Sequence, residues 1–223
     1  MDLDPGYMLG VLPELLPYLP VTLLIAVVSM VLAVLLGLVL ALIRFARIPV
    51  LDQIAQLYIS LFRGIPTLVQ LFLIYYGLPQ LFPAMSTMSA LTAAIIGFSL
   101  KEASYLAEIF RAALASVDRG QYEAGLATGM TRVQVYRRYI IPQAAFNALP
   151  ATGNIFVSLL KETSVAFTLG LTEIFAEAKI IASSSFRFFE TFLVVGLVYW
   201  VMVVVYSWLQ QRLEQRLGRA YRR

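Results

Sequence analysis

An all-α bundle of five membrane-crossing helices is the architecture that this 223-residue sequence predicts, on three observations. Hydrophobic residues make up 60% of the chain and charged residues only 13%, about half the charge of a soluble domain. The stretch from Val21 to Ile43 carries no charge at all, and about 20 apolar residues suffice to cross ~30 Å of hydrocarbon. Thirteen of the seventeen Lys and Arg residues fall in segments that one face of a membrane would hold. A soluble enzyme, a nucleic-acid binder and a disordered tail are poor fits to such a composition, despite the net charge of +4. With no His and no Cys, imidazole acid/base catalysis, thiol nucleophiles, disulfides and nearly every zinc or haem site are removed.

The first span is expected over about Leu15–Ile43. Ahead of it stand Asp2, Asp4 and Glu14 instead of a basic signal-peptide region, so the start reads as mature sequence. The mixed stretch from Val50 to Phe62 fits an amphipathic elbow along the interface. After the break at Gly64-Ile65-Pro66, a second span covers about Ile65–Phe82. The third covers about Leu91–Ala115, the fourth about Ala148–Leu169 and the fifth about Thr191–Leu209, the third and fourth carrying charges. Arg44, Arg47 and Arg63 flank the first loop, Arg111, Arg119, Arg132, Arg137 and Arg138 the next, and Arg212, Arg216, Arg219, Arg222 and Arg223 the tail. Lys179 and Arg187 alone fall in opposite loops. Cytoplasmic loops are enriched in Lys and Arg, so the N-terminus is expected outside and the C-terminus in the cytoplasm. Tyr75, Tyr76, Phe82, Phe186, Phe188, Phe189, Tyr206 and Trp208 sit where interfacial aromatic belts belong. No repeat or soluble linker is visible, and residues 1–223 read as a single membrane domain.

The segment from Ser116 to Pro142 is the most informative. Asp118 with Gln121 fits a capping box opening a helix over about Arg119–Thr128, which Gly129 can close in a left-handed conformation. Thr131 with Gln134 repeats the box for a second helix, with Met130 and Val135 as its hydrophobic staple. Pro142 is expected to end or kink that helix near the membrane. Two helices at a glycine corner, with Arg132, Arg137 and Arg138 nearby, also suit a DNA-binding helix-turn-helix, but the second runs into a span and could not enter a major groove. An ordinary structured loop whose arginines only fix topology is the plainer alternative.

Glu123-Ala124-Gly125, Gly129 and Ile141-Pro142 resemble the "EAA" loop of ABC importer permeases, here with Gly125 at the third Ala, Tyr139 at the Ile and Ile141 at the Leu position. Phe62-Arg63-Gly64-Ile65-Pro66 resembles the F-R-G-T-P of polar amino acid permeases. Gln70-Leu71-Phe72, Tyr75-Tyr76-Gly77-Leu78-Pro79 and Leu160-Lys161-Glu162-Thr163-Ser164 are similar to the same subfamily, and within it to the cystine-type permeases. The resemblance implies a type I ABC importer permease fold in which the loop at about 118–142 inserts a coupling helix into a separate ATPase. Glu123, Ala124, Gly125, Gly129 and Pro142 are the coupling residues it implies. Small Ala124, Gly125 and Ala127 would let that helix pack closely. Glu123, placed in the first helical turn, would be favoured by the helix dipole and pair with a partner's Arg or Lys. The resemblance also implies an ATP-binding subunit dimer, a second permease copy (identical or related) and an extracytoplasmic solute-binding protein. This chain has no G-x-x-x-x-G-K-[ST] loop, so ATP and Mg are expected on the partner ATPase, with no cofactor and no catalysis here.

Charges within a span cost about 2.5–3.5 kcal/mol on insertion scales and face the bundle interior with partners. Ser99, Lys101 and Glu102 are therefore read as contributing to the route of a zwitterionic substrate, with Lys161, Glu162 and Ser164 lining or gating it. Mutual neutralisation, for example of Lys101 by Glu162, is the alternative. Glu108 and Arg111, three apart, are expected to pair locally. Arg63 is read as an anchor of the second span, and Tyr105 as a packed aromatic or a cavity wall. The rival function is an ion-coupled secondary transporter or channel, which would need no docking loop. The substrate stays open among cystine, glutamine, arginine and other polar amino acids.

Overall fold

A computed structural model describes residues 3–218; Asp2, Arg219, Arg222 and Arg223 lie outside the described residues. Every regular element among them is helical. Helix α1 (Pro5–Leu15) starts at an Asp4 cap, whose Oδ1 accepts from the Tyr7 amide at 3.0 Å. A 3-10 turn at Leu16–Tyr18 joins it to α2 (Leu19–Ala46), where Pro17 and Pro20 each remove an amide from the ladder. The turn into α3 (Leu51–Gly64) is made by Arg47 and Val50, both at positive φ.

Ile65, forced out of the helical region by Pro66, is extended and ends α3. Beyond it come α4 (Thr67–Phe72), a π turn at Leu73–Gly77 and α5 (Leu78–Leu81). Then come α6 (Ala90–Ala115), α7 (Arg119–Ala127), α8 (Arg132–Val135), a second π turn at Tyr136–Ile140, and α9 (Ile141–Glu162). A 3-10 stretch over Thr163–Leu169 leads to α10 (Ile174–Ser185) and α11 (Phe188–Gly218). The hydroxyls of Thr163, Ser164 and Thr168 donate to carbonyls three residues back, at 2.8 Å each, which favours that tighter winding.

The third expected span coincides with α6 within one residue. The fourth was placed late, because α9 begins at Ile141 and the 3-10 stretch, not α-helix, occupies Thr163–Leu169. Pro142 neither ends nor breaks its helix. It is the second residue of α9, and the ladder widens just before it, where the Ile141 amide donates to the Tyr136 carbonyl. By length and hydropathy, Pro5–Ala46 and Phe188–Gly218 can cross a membrane, and a third crossing exists if the bent α3–α5 pair counts as one. Helices α6 and α9, 26 and 22 residues long, would extend about 39 and 33 Å at 1.5 Å per residue, but Lys101 and Glu102 in α6 and the Gln, Asn, Pro and Gly residues of α9 keep them below that hydropathy.

The described contacts divide into two compact units. The first contains the chain up to Val31, Pro66–Ser99 and Phe156–Ser207. Its apolar core gathers Val11, Leu15, Ile174, Ala178, Val194 and Val195. Fully buried Glu173, the α10 cap, accepts from Thr22 Oγ1 at 3.3 Å, Tyr199 Oη at 3.1 Å and the Ala176 amide at 3.0 Å. A clasp joins α1 to the α10–α11 turn: Tyr7 Oη lies 2.7 Å from Ser185 Oγ and 2.9 Å from Thr191 Oγ1, while Arg187 donates to Asp4 Oδ2 at 2.7 Å and lies 4.7 Å from the Tyr7 ring centre. The second unit contains Leu32–Ile65, Leu100–Ile155 and the chain from Trp208 onward. In it α2 meets α6 at Gly37, where a Cβ would stand 2.9 Å from Leu106 Cβ and 3.2 Å from the Ala103 carbonyl oxygen. Only a residue without a side chain allows that approach.

The hydrogen bond from Arg187, then that from the Tyr7 amide, holds the Asp4 carboxyl below its usual range. A depressed folded-state pKa stabilises at pH values above the unfolded one, and the benefit disappears as pH falls through the folded value. Thermal unfolding should therefore separate wild type from Asp4→Asn at neutral pH and low salt, the gap closing on acidification and shrinking at high salt. A gap that persists in acid would show that the carboxylate charge is not its source.

Candidate functional site

In the 118–142 segment, Asp118 caps α7 through its Oδ1, which accepts from the Gly120 amide at 2.6 Å, while the Gln121 amide donates to the Asp118 carbonyl at 3.1 Å. At the other end Gly129 has φ +84°. Its amide donates to the Leu126 carbonyl at 3.0 Å, and the Met130 amide donates to the Gly125 carbonyl at 3.2 Å. This 5→2 and 6→1 pair is a Schellman closure. The second box is complete: Gln134 N–H donates to Thr131 Oγ1 at 3.3 Å and Thr131 N–H to Gln134 Oε1 at 2.9 Å. Met130 packs on the cluster around fully buried Val135, with Ala113 and Leu114 of α6 and Ala144 and Ala148 of α9. The Tyr122 and Tyr136 rings are 5.6 Å apart in the same cluster. The start of α7 is thus fixed by a side-chain cap, its end by backbone bonds, and one face by packing.

Two readings of this helix need correction. Glu123 is the fifth residue of α7, beyond its first turn, and pairs with Arg119 on its own helix, Nε to Oε1, at 3.3 Å. Gly125 faces inward: it is buried, and a Cβ there would come 2.7 Å from Val135 Cγ2. Ala124 and Ala127 are exposed, so the small outward surface belongs to those two alone.

Lys101 Nζ lies 3.1 Å from Glu102 Oε1, and Glu102 is 2% exposed. The Lys101 ammonium also stands 5.8 Å from the Tyr105 ring centre. Buried Ser99 donates to the Ile95 carbonyl one turn back, at 2.5 Å. In the first unit Thr67 donates to Glu162 Oε1 at 2.6 Å, Ser164 bonds the Lys161 carbonyl, and the Lys161 side chain is exposed. Glu108 and Arg111 pair as expected, Oε2 to Nη2 at 2.9 Å. Arg44 adds a second cation to Glu108 and holds Asp52 Oδ1 at 3.3 Å.

A cavity of about 570 Å³ opens beside this network, lined by α2, α3 and α6. Arg63 and Tyr105 are on its wall, with the guanidinium 5.2 Å from the ring centre. Gln56 and Ser60, which the sequence reading missed, share the α3 face with Arg63. Their spacing of four and three residues is the available signal, since it puts all three on one helical stripe.

A family described as "Binding-protein-dependent transport system inner membrane component" matches residues 33–219. The probable amino-acid permease protein YxeN of Bacillus subtilis is 60% identical over 220 residues, covering 99% of this chain and 98% of its own length. The probable amino-acid ABC transporter permease protein PatM of Vibrio harveyi is 52% identical, with 99% of both chains covered. The L-cystine transport system permease protein TcyL of Bacillus subtilis is 39% identical over 92% of this chain and 87% of its own. A chain from a crystal structure of an amino acid ABC transporter with histidines superposes with TM-score 0.87 at 37% identity, covering 97% of this chain and 100% of that one. This protein is a membrane translocation component, not a catalytic subunit. The chain belongs to the binding-protein-dependent transport system inner membrane component family.

The Gly125–Val135 contact yields a test within the loop. Adding one methyl to a filled site costs about 1–3 kcal/mol, so Gly125→Ala should lower thermal stability by that order, and Val135→Ala on the same chain should recover part of it. If Gly125→Ala is neutral, α7 does not pack this tightly on Val135.

Proposed function

We propose that this chain, an amino acid ABC transporter permease subunit, imports a polar amino acid with energy delivered through α7. The reading takes residues 1–223 as one membrane domain crossing five times, through α2, the α4–α5 segment, α6, α9 and α11, with the N-terminus outside. The observation that carries it is the α7 corner, fixed by a Schellman closure and a capping box and continuing through α8 and the π turn into α9. A lever of this kind passes displacement into a span with little lost in bending. Its exposed Arg119–Glu123 pair is the kind worth only about 0.3–0.5 kcal/mol, so Glu123 can exchange Arg119 for a partner's cation at small cost.

In this reading Glu123, Ala124, Gly129 and Pro142 shape and present the lever to an ATPase dimer that holds the ATP and Mg, and Gly125 lets α7 seat against Val135. A second permease copy completes the route, and a solute-binding protein delivers substrate from outside. Lys101 and Glu102, with Ser99, offer a cation and an anion to a zwitterion, and Lys161, Glu162 and Ser164 contribute farther along. Relatives named for L-cystine, arginine and octopine transport support an amino acid cargo with a polar side chain, cystine among the candidates.

The test is ATP-driven uptake by the complex in vesicles, run across a panel of amino acids. Glu102→Ala removes the buried carboxylate that stands 3.1 Å from Lys101 Nζ, and uptake should fall by about tenfold or more. Replacing both by apolar residues, Lys101→Met with Glu102→Leu, removes the pair without changing the net charge. If the pair serves transport, the double variant assembles but stays inactive; recovered uptake would reduce the pair to a packing device.

A further inference from the structure

We propose that the cavity lined by α2, α3 and α6 is a carboxylate-binding station for the transported amino acid, with Arg63 as its anion-binding residue; this rests on the amino acid permease reading. The other charges at the cavity are already engaged. Arg44 bonds Asp52 and Glu108, and Glu108 also accepts from Arg111. Arg63 differs: among the described residues its contact is the face of the Tyr105 ring, with no carboxylate within ion-pair reach. Stacking engages the flat face of a guanidinium and leaves its in-plane N–H groups available at the edge. Those donors form the fork that a planar carboxylate meets with two parallel hydrogen bonds.

The surroundings favour an anion. Lys101 and Arg63 both stand over the Tyr105 ring. Arg44, Arg63 and Arg111 outnumber Asp52 and Glu108 by one positive charge. Ser60, exposed on the wall, supplies a further donor along the same stripe as Arg63, and Gln56, whose Nε2 donates to Asp52 Oδ2 at 2.8 Å, keeps a second N–H. At about 570 Å³, this open cavity has room for a small ligand. A lipid phosphate is also an oxyanion, so the test separates the two sources.

The complex is placed in phosphatidylcholine nanodiscs without the binding protein, and binding of labelled L-arginine, L-glutamine and L-cystine is competed by each unlabelled acid and by its carboxamide. Wild type should prefer acid over carboxamide by about tenfold or more for the bound amino acid, because the amide lacks the charge that the fork recognises. Arg63→Gln should bring that ratio to within about twofold, and Arg63→Lys should retain part of it, keeping charge without the fork. Phenylglyoxal modification of Arg63 in the unaltered chain, read by peptide mapping, should be blocked by the acid and not by the carboxamide. A preference that survives Arg63→Gln, a wild type that binds none of the acids, or a modification that neither ligand blocks overturns the station. So does a repeat in phosphatidylglycerol nanodiscs in which the Arg63 effect follows the lipid instead of the amino acid. ATP-driven uptake by the same complex with its binding protein reads the underlying function separately: intact uptake with any of those results rejects the station alone, and absent wild-type uptake across the panel rejects the reading beneath it.

Discussion

A carbonyl that loses its donor in hydrocarbon has no water to replace it, and that constraint governs this chain, which places ten prolines among helices. Two of them are handled alike. Before Pro79 and before Pro142 the ladder opens into a π turn, with the Leu78 amide reaching the Leu73 carbonyl and the Ile141 amide reaching the Tyr136 carbonyl. The helix then continues through the missing amide. Pro66 is the contrast. It pushes the preceding residue out of the helical region, and α3 ends at that point. Pro13 and Pro150 lie inside α-helices with no widened turn before them, so the π turn is one way of absorbing a proline here and not a requirement.

Polar groups inside the helices obey the same rule. Ser99, Thr163, Ser164 and Thr168 return their hydroxyl protons to their own backbone. Glu173 collects three donors, and Glu102 is bonded by the adjacent Lys101. Close approach at Gly37 lets α2 run against α6, and both contribute to the wall of the cavity. The site is thus shaped by a missing side chain as much as by the charges that line it.

What the sequence discloses here is what local chemistry determines. The limits of α6, the left-handed Gly129, the Thr131–Gln134 box and the Glu108–Arg111 pair all follow from residues within a few positions of one another, and they were legible. The π turns were not, because a proline after an apolar run looks like a stop unless the helix is known to continue. The inward face of Gly125 depends on Val135 after a corner, and the partner of Glu123 depends on where α7 begins. Arg44, Gln56, Ser60, Arg63, Tyr105 and Glu108 come from three helices, and no spacing within one of them reveals that they share a cavity. Glu173 looks like a loop acid until Thr22 and Tyr199 are brought to it.

The turn at Tyr136–Ile140 has one more effect. Widening a ladder by one residue advances everything upstream by about 100° around the helix axis. The azimuth at which the α7 corner leaves the α9 axis is therefore dictated by a local underwinding, not by the corner itself. A version of this chain with uniform α-helical pitch through those five residues would keep every cap and bond of the corner, yet present it on a different compass bearing.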